Sequence, residues 1–332
     1  MTPTVIYPVF ACIFGMLVGS FLNVCICRLP KNESIVSPPS HCPLCSYQIR
    51  WYDNIPLLSY LMLRGKCRGC GARISLQYPL VELLNGILTL FLFLRFGPTP
   101  AFAVLFLFCS ALVVITFIDI EHQIIPNEIS GPGIAIGYAC SLYFSGYSVP
   151  GTYIGIFGGG ASLFLAFGTL LIAWKGSCDD TQDHEEAFTI KPYLHLIALS
   201  IPGVVLALWA RTAYPGQFWT SSLLGAFMGA DLICAVVVVW YAIKKQEGMG
   251  GGDIKLLAMM GAFLGWQAVP FIIFAGSLVG SLIGIAIMVV QKKDAKLAIP
   301  FGPYLALGAV IFIFYGKPLI RWYLMLSGFY QG

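Results

Sequence analysis

Charge is what this sequence has least of. Only 10% of its 332 residues are Asp, Glu, Lys or Arg, and only four are histidine. So few ionic groups cannot clothe the surface of a water-soluble domain, which carries about a quarter charged residues. The sequence also lacks a low-complexity tail and a Rossmann-type glycine signature. No basic stretch precedes its first apolar run, Val5–Cys27, so that run reads as a retained helix and not a cleaved signal peptide. The net charge of +4 says little by itself, and no nucleic acid is expected as a partner.

Hydrophobic residues are abundant, at 58% of the chain. Residues 101–118 and 256–290 carry no charge, and residues 129–174 carry none over a length sufficient for two crossings. A bilayer crossing takes about 20 apolar residues. The pattern predicts an all-α polytopic membrane protein, a helical bundle of about eight to ten transmembrane segments. Crossings are expected at 5–27, 80–96, 101–118, 130–147, 152–174, 193–210, 221–243, 267–291 and 301–316, with a short segment at 254–265 that could be half a crossing. The segments 28–73, 244–255 and 292–296 are basic, and basic loops stay in the cytoplasm. With those three inside, the parity of ten segments closes. The expected domains are a first transmembrane helix at 1–28, a small cytoplasmic zinc-binding domain at 29–79, and a transmembrane domain at 80–332.

Cysteine is concentrated in one informative place. Cys42-x-x-Cys45 and Cys67-x-x-Cys70 stand in "HCPLCSYQIR" and "KCRGCGARIS". Two such knuckles suit a tetrahedral site of four thiolates, so zinc is the expected ligand. Two disulfides or chance spacing are the alternatives, and a cytoplasmic location disfavours the former. A closed four-cysteine site leaves no position for a catalytic water and reads as structural. Gly69 and Gly71 ease the second turn. The other seven cysteines are scattered, and the six of them in expected helices read as small apolar fillers.

Acidic groups at membrane segments are costly and tend to mark function. Asp119 ends an apolar helix in "ITFIDIEHQIIPNEI", and Asp253 follows the glycines of "GMGGGDIKL". Both fall at the cytoplasmic face in this topology. Two close carboxylates share a proton, so one activates water while the other polarises a carbonyl. The bland reading is that each caps a helix end. Gly250 and Gly252 would let a peptide backbone approach and allow unusual dihedrals, and Pro126 would end the helix extension beyond Asp119. Asp231 lies deep in a crossing and reads as a bundle-facing carboxylate. Glu82 would touch a partner helix or orient a basic group. The histidines form no metal set: His41 abuts Cys42, His122 reads as a surface group, His184 lies in an acidic loop and His195 in an apolar helix.

These stretches together resemble the bacterial type IV prepilin peptidases. "GSFLNVCICRLP", the segment from Cys42 to Glu82, "DIEHQIIPN", "GMGGGDIKLLAMMGAFLGW" and "IPFGPYLALGA" are similar to five ordered motifs of that family. The resemblance implies an aspartic peptidase with Asp119 and Asp253 as its catalytic pair. It further implies N-methylation of the new N-terminus from S-adenosylmethionine, with Gly65 and Lys66 at positions tied to methyl transfer. Substrates would be prepilins or pseudopilins of type IV pili or type II secretion, cut at the cytoplasmic face of the bacterial inner membrane. Glu121 and Glu128 would attract the basic leader. The Asp119–Asp253 interval is longer than the family pattern, which suggests an inserted hairpin at about 150–220. Its acidic run, Asp179, Asp180, Asp183, Glu185 and Glu186, reads as a solvated linker or a docking site. Competing readings are a peptidase without methylation, an intramembrane aspartic protease with other substrates, and a non-enzymatic transporter or assembly factor.

Overall fold

The computed structural model describes residues 3–144, 191–244, 250–291 and 300–327. The crossing expected at 152–174, the acidic run and the basic loop at 292–296 lie outside them. Among the described residues six helices are long and apolar enough to cross a membrane. The expected segment at 301–316 is a shorter apolar helix. The chain divides into two compact units, Met1–Pro126 and Asn127–Gly332.

The first unit is built on α1 (Pro3–Arg28), α3 (Gln77–Phe96) and α4 (Pro100–His122). A five-residue helix, α2 (Leu58–Met62), lies in the connection between α1 and α3. Thr99 caps α4 by accepting the Phe102 N–H, with Pro100 at the first helical position, a combination that suits a helix start. Small residues bring α1 and α3 close together. A Cβ on Gly19 would stand 2.8 Å from the Glu82 Cα, and one on Gly86 would run into Met16. Asn85, 1% exposed, ties the three long helices. Its amide donates to the Gly15 carbonyl at 2.7 Å, and its Oδ1 accepts from the Ser110 hydroxyl at 3.0 Å.

The second unit contains α5 (Asn127–Phe144), α6 (Lys191–Ala213), α7 (Phe218–Lys244), α8 (Gly251–Leu264), α9 (Ala268–Gln291), α10 (Gly302–Ile311) and α11 (Lys317–Leu326). Helix α8 has 14 residues, too few for a full crossing. It packs between α5 and α7, and Leu256, Leu257, Met259 and Met260 are buried there. Helix α5 is not among the six long apolar helices. It is rich in glycine because it must approach α8: a Cβ on Gly133 would strike Met259, and one on Gly137 would stand 2.8 Å from Phe263. Helices α7 and α8 cross with Gly225 and Gly261 backbone to backbone, each blocking a Cβ on the other. Such small-residue contacts let membrane helices pack without side chains between them. Replacing Gly261 by leucine should therefore lower the melting temperature of the detergent-purified protein, since overpacking costs about 1–3 kcal/mol or more. Unchanged melting would refute this contact.

Candidate active site and metal centre

The two cysteine pairs form matching knuckles. Cys42 N–H donates to the Tyr47 carbonyl at 2.9 Å and Ser46 N–H to the Cys42 carbonyl at 2.9 Å. In the second knuckle Cys67 N–H reaches Ala72 at 2.8 Å and Gly71 N–H reaches Cys67 at 2.9 Å. The residue after each second cysteine, Ser46 or Gly71, adopts a left-handed φ of 57° or 73°. Gly69 serves differently. Its φ is not positive, but a Cβ there would press on Tyr47 at 2.9 Å and on the Cys45 Sγ at 3.3 Å. The turns bring all four Sγ atoms within 4.8 Å of one another. Cys42 to Cys70 and Cys45 to Cys67 are each 3.9 Å apart. Tetrahedral zinc with Zn–S bonds of about 2.3 Å requires S···S separations of about 3.8 Å. The four cysteines are free, with no disulfide between them. The backbone N–H groups of Leu44 and then Cys45 pull the Cys42 thiol down to about 6. Cys45 also receives a backbone hydrogen bond, from Tyr47, that favours its thiolate. Desolvation and the surrounding Cys70, Cys42 and Cys67 sulfurs outweigh it and push the group up to about 12. Four sulfurs gathered at this spacing fit a cation of the zinc type. His41 stays outside the cluster and meets the Pro39 carbonyl at 3.1 Å.

Gly65 is buried and has a φ of +66°, and a Cβ would stand 2.8 Å from the Tyr60 hydroxyl. The position thus has a conformational need for glycine. Lys66 beside it is exposed.

Asp119 lies in the last turn of α4 and is 5% exposed, below the fully buried Ile115 and Ile118. The helix does not continue toward Pro126 as expected. Gln123 turns left-handed with φ 56° and donates its N–H to the Asp119 carbonyl at 2.9 Å, ending the helix at His122. Pro126 is buried and immediately precedes α5. His122, Glu121 and Glu128 are exposed.

Asp253 is the third residue of α8 and is 8% exposed. Its N–H reaches the Gly250 carbonyl at 3.2 Å. The helix N-terminus favours a negative charge at this position, whereas Asp119 sits at the opposite, negative end of its helix. Gly250 has φ −75° and ψ 147°, an extended conformation open to any residue, so an unusual dihedral is not its purpose. A Cβ on Gly250 or Gly251 would meet nothing within 4 Å. Those glycines border open space at the start of α8, and Gly252 continues the first turn. Asp119 belongs to the first unit and Asp253 to the second.

One contact escaped sequence reasoning. The Lys255 ammonium donates to the Asn127 Oδ1 at 2.9 Å, joining the second turn of α8 to the start of α5. Both residues lie in motifs singled out above, but only the fold shows that they meet. Asp231 accepts from the Ser200 hydroxyl at 2.7 Å, as a bundle-facing carboxylate would. Among the described residues Glu82 forms an ion pair with no basic group; its Oε2 accepts the backbone N–H of Leu57 at 2.9 Å.

Multiple long apolar helices, a four-cysteine cluster and two buried aspartates at helix ends define a multi-pass membrane protein with a metal-type centre. The comparisons give its family. The profile of the Bacterial Peptidase A24 N-terminal domain matches residues 13–96, and that of the Type IV leader peptidase family matches residues 106–177 and 196–285. The chain belongs to the type IV leader peptidase family. It is 31% identical to the prepilin leader peptidase/N-methyltransferase of Aeromonas hydrophila, over 94% of this chain and 92% of that protein. It is 30% identical to the protein of that name from Pseudomonas aeruginosa, over 96% and 93%. It is 32% identical to that from Myxococcus xanthus, over 87% of this chain and 65% of the longer relative. No solved structure matches the chain.

Proposed function

We propose that this protein removes the leader peptide from type IV prepilins or pseudopilins and then methylates the new N-terminus. The observation that carries the reading is the near-full-length likeness to proteins named for both activities. Asp119 and Asp253 are the proposed catalytic pair. Their burial supports this, because carboxylates withdrawn from water are suited to sharing a proton. The ionised one takes a proton from water as the oxygen attacks the scissile carbonyl, and the protonated one donates to the carbonyl oxygen. Collapse of the tetrahedral intermediate breaks the C–N bond, and the proton returns to the leaving amine. Gly250, where a side chain would meet open space, Gly252 and Pro126 are the proposed supporting positions.

Residues 29–79 are proposed as the methylation-associated domain, with 1–28 as its leading helix and 80–332 as the peptidase domain. Cys42, Cys45, Cys67 and Cys70 would hold a structural zinc. S-adenosylmethionine would supply the methyl group to the free amine, and Gly65 and Lys66 are candidates for that step. The basic segments around residues 28–73 support an active site facing the cytoplasm of the bacterial inner membrane. The acidic run falls in the interval 178–195 between the two matched stretches of the peptidase profile, and the proposed inserted hairpin at about 150–220 contains it.

The test uses full-length protein in detergent, a synthetic prepilin and S-adenosylmethionine, read by intact mass. Loss of the leader mass followed by gain of one methyl mass is expected. An intact prepilin would reject the proposal, and cleavage without added methyl mass would leave a peptidase alone.

A further inference from the structure

The segment between α1 and α3 was expected to be a soluble domain, yet part of it is fastened below the ends of its own membrane helices. Two hydrogen bonds set the depth. The Ser20 hydroxyl meets the Asn54 Oδ1 at 3.2 Å. Ser20 lies eight residues before the end of α1, about 12 Å along the axis at 1.5 Å per residue. The Leu57 N–H meets the Glu82 carboxylate at 2.9 Å. Glu82 lies five residues into α3, about 7.5 Å from its start. Helix α3 has only 20 residues, about 30 Å, barely the thickness of the hydrocarbon layer. It has no spare turn to hold Glu82 out in water, so Leu57 and Asn54 sit at the level of the bilayer margin.

The side chains at that level suit lipid. A short 3-10 turn, Trp51–Asn54, leads into α2. Trp51 is 81% exposed, and Leu58, Leu61 and Met62 are 51%, 71% and 74% exposed. The last three stand at i, i+3 and i+4 and form one face of α2. Arg50, Arg64 and Lys66 flank them and are exposed. An apolar ridge with a tryptophan and a basic rim is the composition of an interfacial anchor on an anionic leaflet. Leu57 takes a φ of 57°, unfavourable for a leucine, at the very residue whose N–H the buried Glu82 holds.

We propose that residues 51–62 form a hook inserted into the headgroup and upper acyl region of the bilayer, with Glu82 and Ser20 as its fastenings. The occupant of the apolar face is lipid. The inference rests on the membrane-spanning helices and not on the peptidase reading, and its test uses no activity. An environment-sensitive fluorescent amino acid is placed at Leu61 in the full-length protein, in nanodiscs of phosphatidylethanolamine and phosphatidylglycerol. The same label at Leu44, on a zinc knuckle and 76% exposed, serves as reference. The hook predicts blue-shifted emission at 61, quenched by lipids brominated about 5–10 Å below the headgroups. A label at Met62 repeats the measurement should the first variant fail to fold. Red, unquenched emission at 61 or 62 overturns the proposal. So does a blue shift that appears only on adding a prepilin and without lipid quenching, which would make the ridge a substrate-docking face.

Discussion

Asparagine at position 119 or at position 253 should abolish leader removal while leaving the protein folded and membrane-embedded. Asparagine keeps the size and hydrogen-bonding capacity of each buried side chain, but it can neither take a proton from water nor hand one to a carbonyl oxygen. Losing one proton-transfer group costs about 10²–10⁴-fold in rate. The proposed pair acts as a unit, so the double variant should be little worse than either single one. Rates of leader cleavage measured on variants matched for melting temperature decide the matter. If either single variant cleaves at the wild-type rate, the pair is refuted and Asp231, held by Ser200, becomes the next carboxylate to replace. Helix position adds a finer expectation. Asp253 stands where the helix dipole supports a negative charge and Asp119 where it opposes one, which suits the former to act on water and the latter on the carbonyl.

Removing a single knuckle sulfur, by Cys42→Ser or Cys67→Ser, should release the metal and unfold the small domain. Tetrathiolate zinc contributes about 10–16 kcal/mol to the folding of small metal-dependent domains. That is as much as the total stability of an ordinary domain, about 5–15 kcal/mol. Elemental analysis should fall from one zinc per chain to near none, and limited proteolysis should open the chain between residues 32 and 75. The methyl mass on the product should disappear with it. Leader removal should persist, because the two aspartates lie on α4 and α8, outside the cysteine turns. Undiminished zinc in both variants would show that the four sulfurs are not its ligands.

Much of this was legible because it is local. Long uncharged runs give long membrane helices, and Cys-x-x-Cys turns close on themselves whatever surrounds them. Helix α5 was legible as a segment, but its reason was not. Gly133 and Gly137 serve an approach to Met259 and Phe263, more than a hundred residues away. The end of α4 was misplaced because Pro126 is a conspicuous stop signal, whereas the actual stop is a left-handed Gln123, a residue with no strong preference for that conformation. Gly250 invited a dihedral explanation that its extended backbone does not need. The links Lys255–Asn127, Glu82–Leu57 and Ser20–Asn54 join residues of ordinary type over long intervals. No composition or spacing announces them.

The ends of α1 and α3 are neighbours in their own right. Asn23 donates to the Tyr78 carbonyl at 3.1 Å, and the Cys27 sulfur lies 3.5 Å from the Tyr78 hydroxyl. With Gly19 and Gly86 closing the gap between the helices, the pair would remain a hairpin even without the residues that connect it. The four-cysteine segment is thus a graft on a continuous stem, not a strut of the bundle. Such an arrangement lets a lineage gain, lose or exchange the graft without rebuilding the membrane core beneath it. It also makes the segment a natural place to splice in a foreign domain.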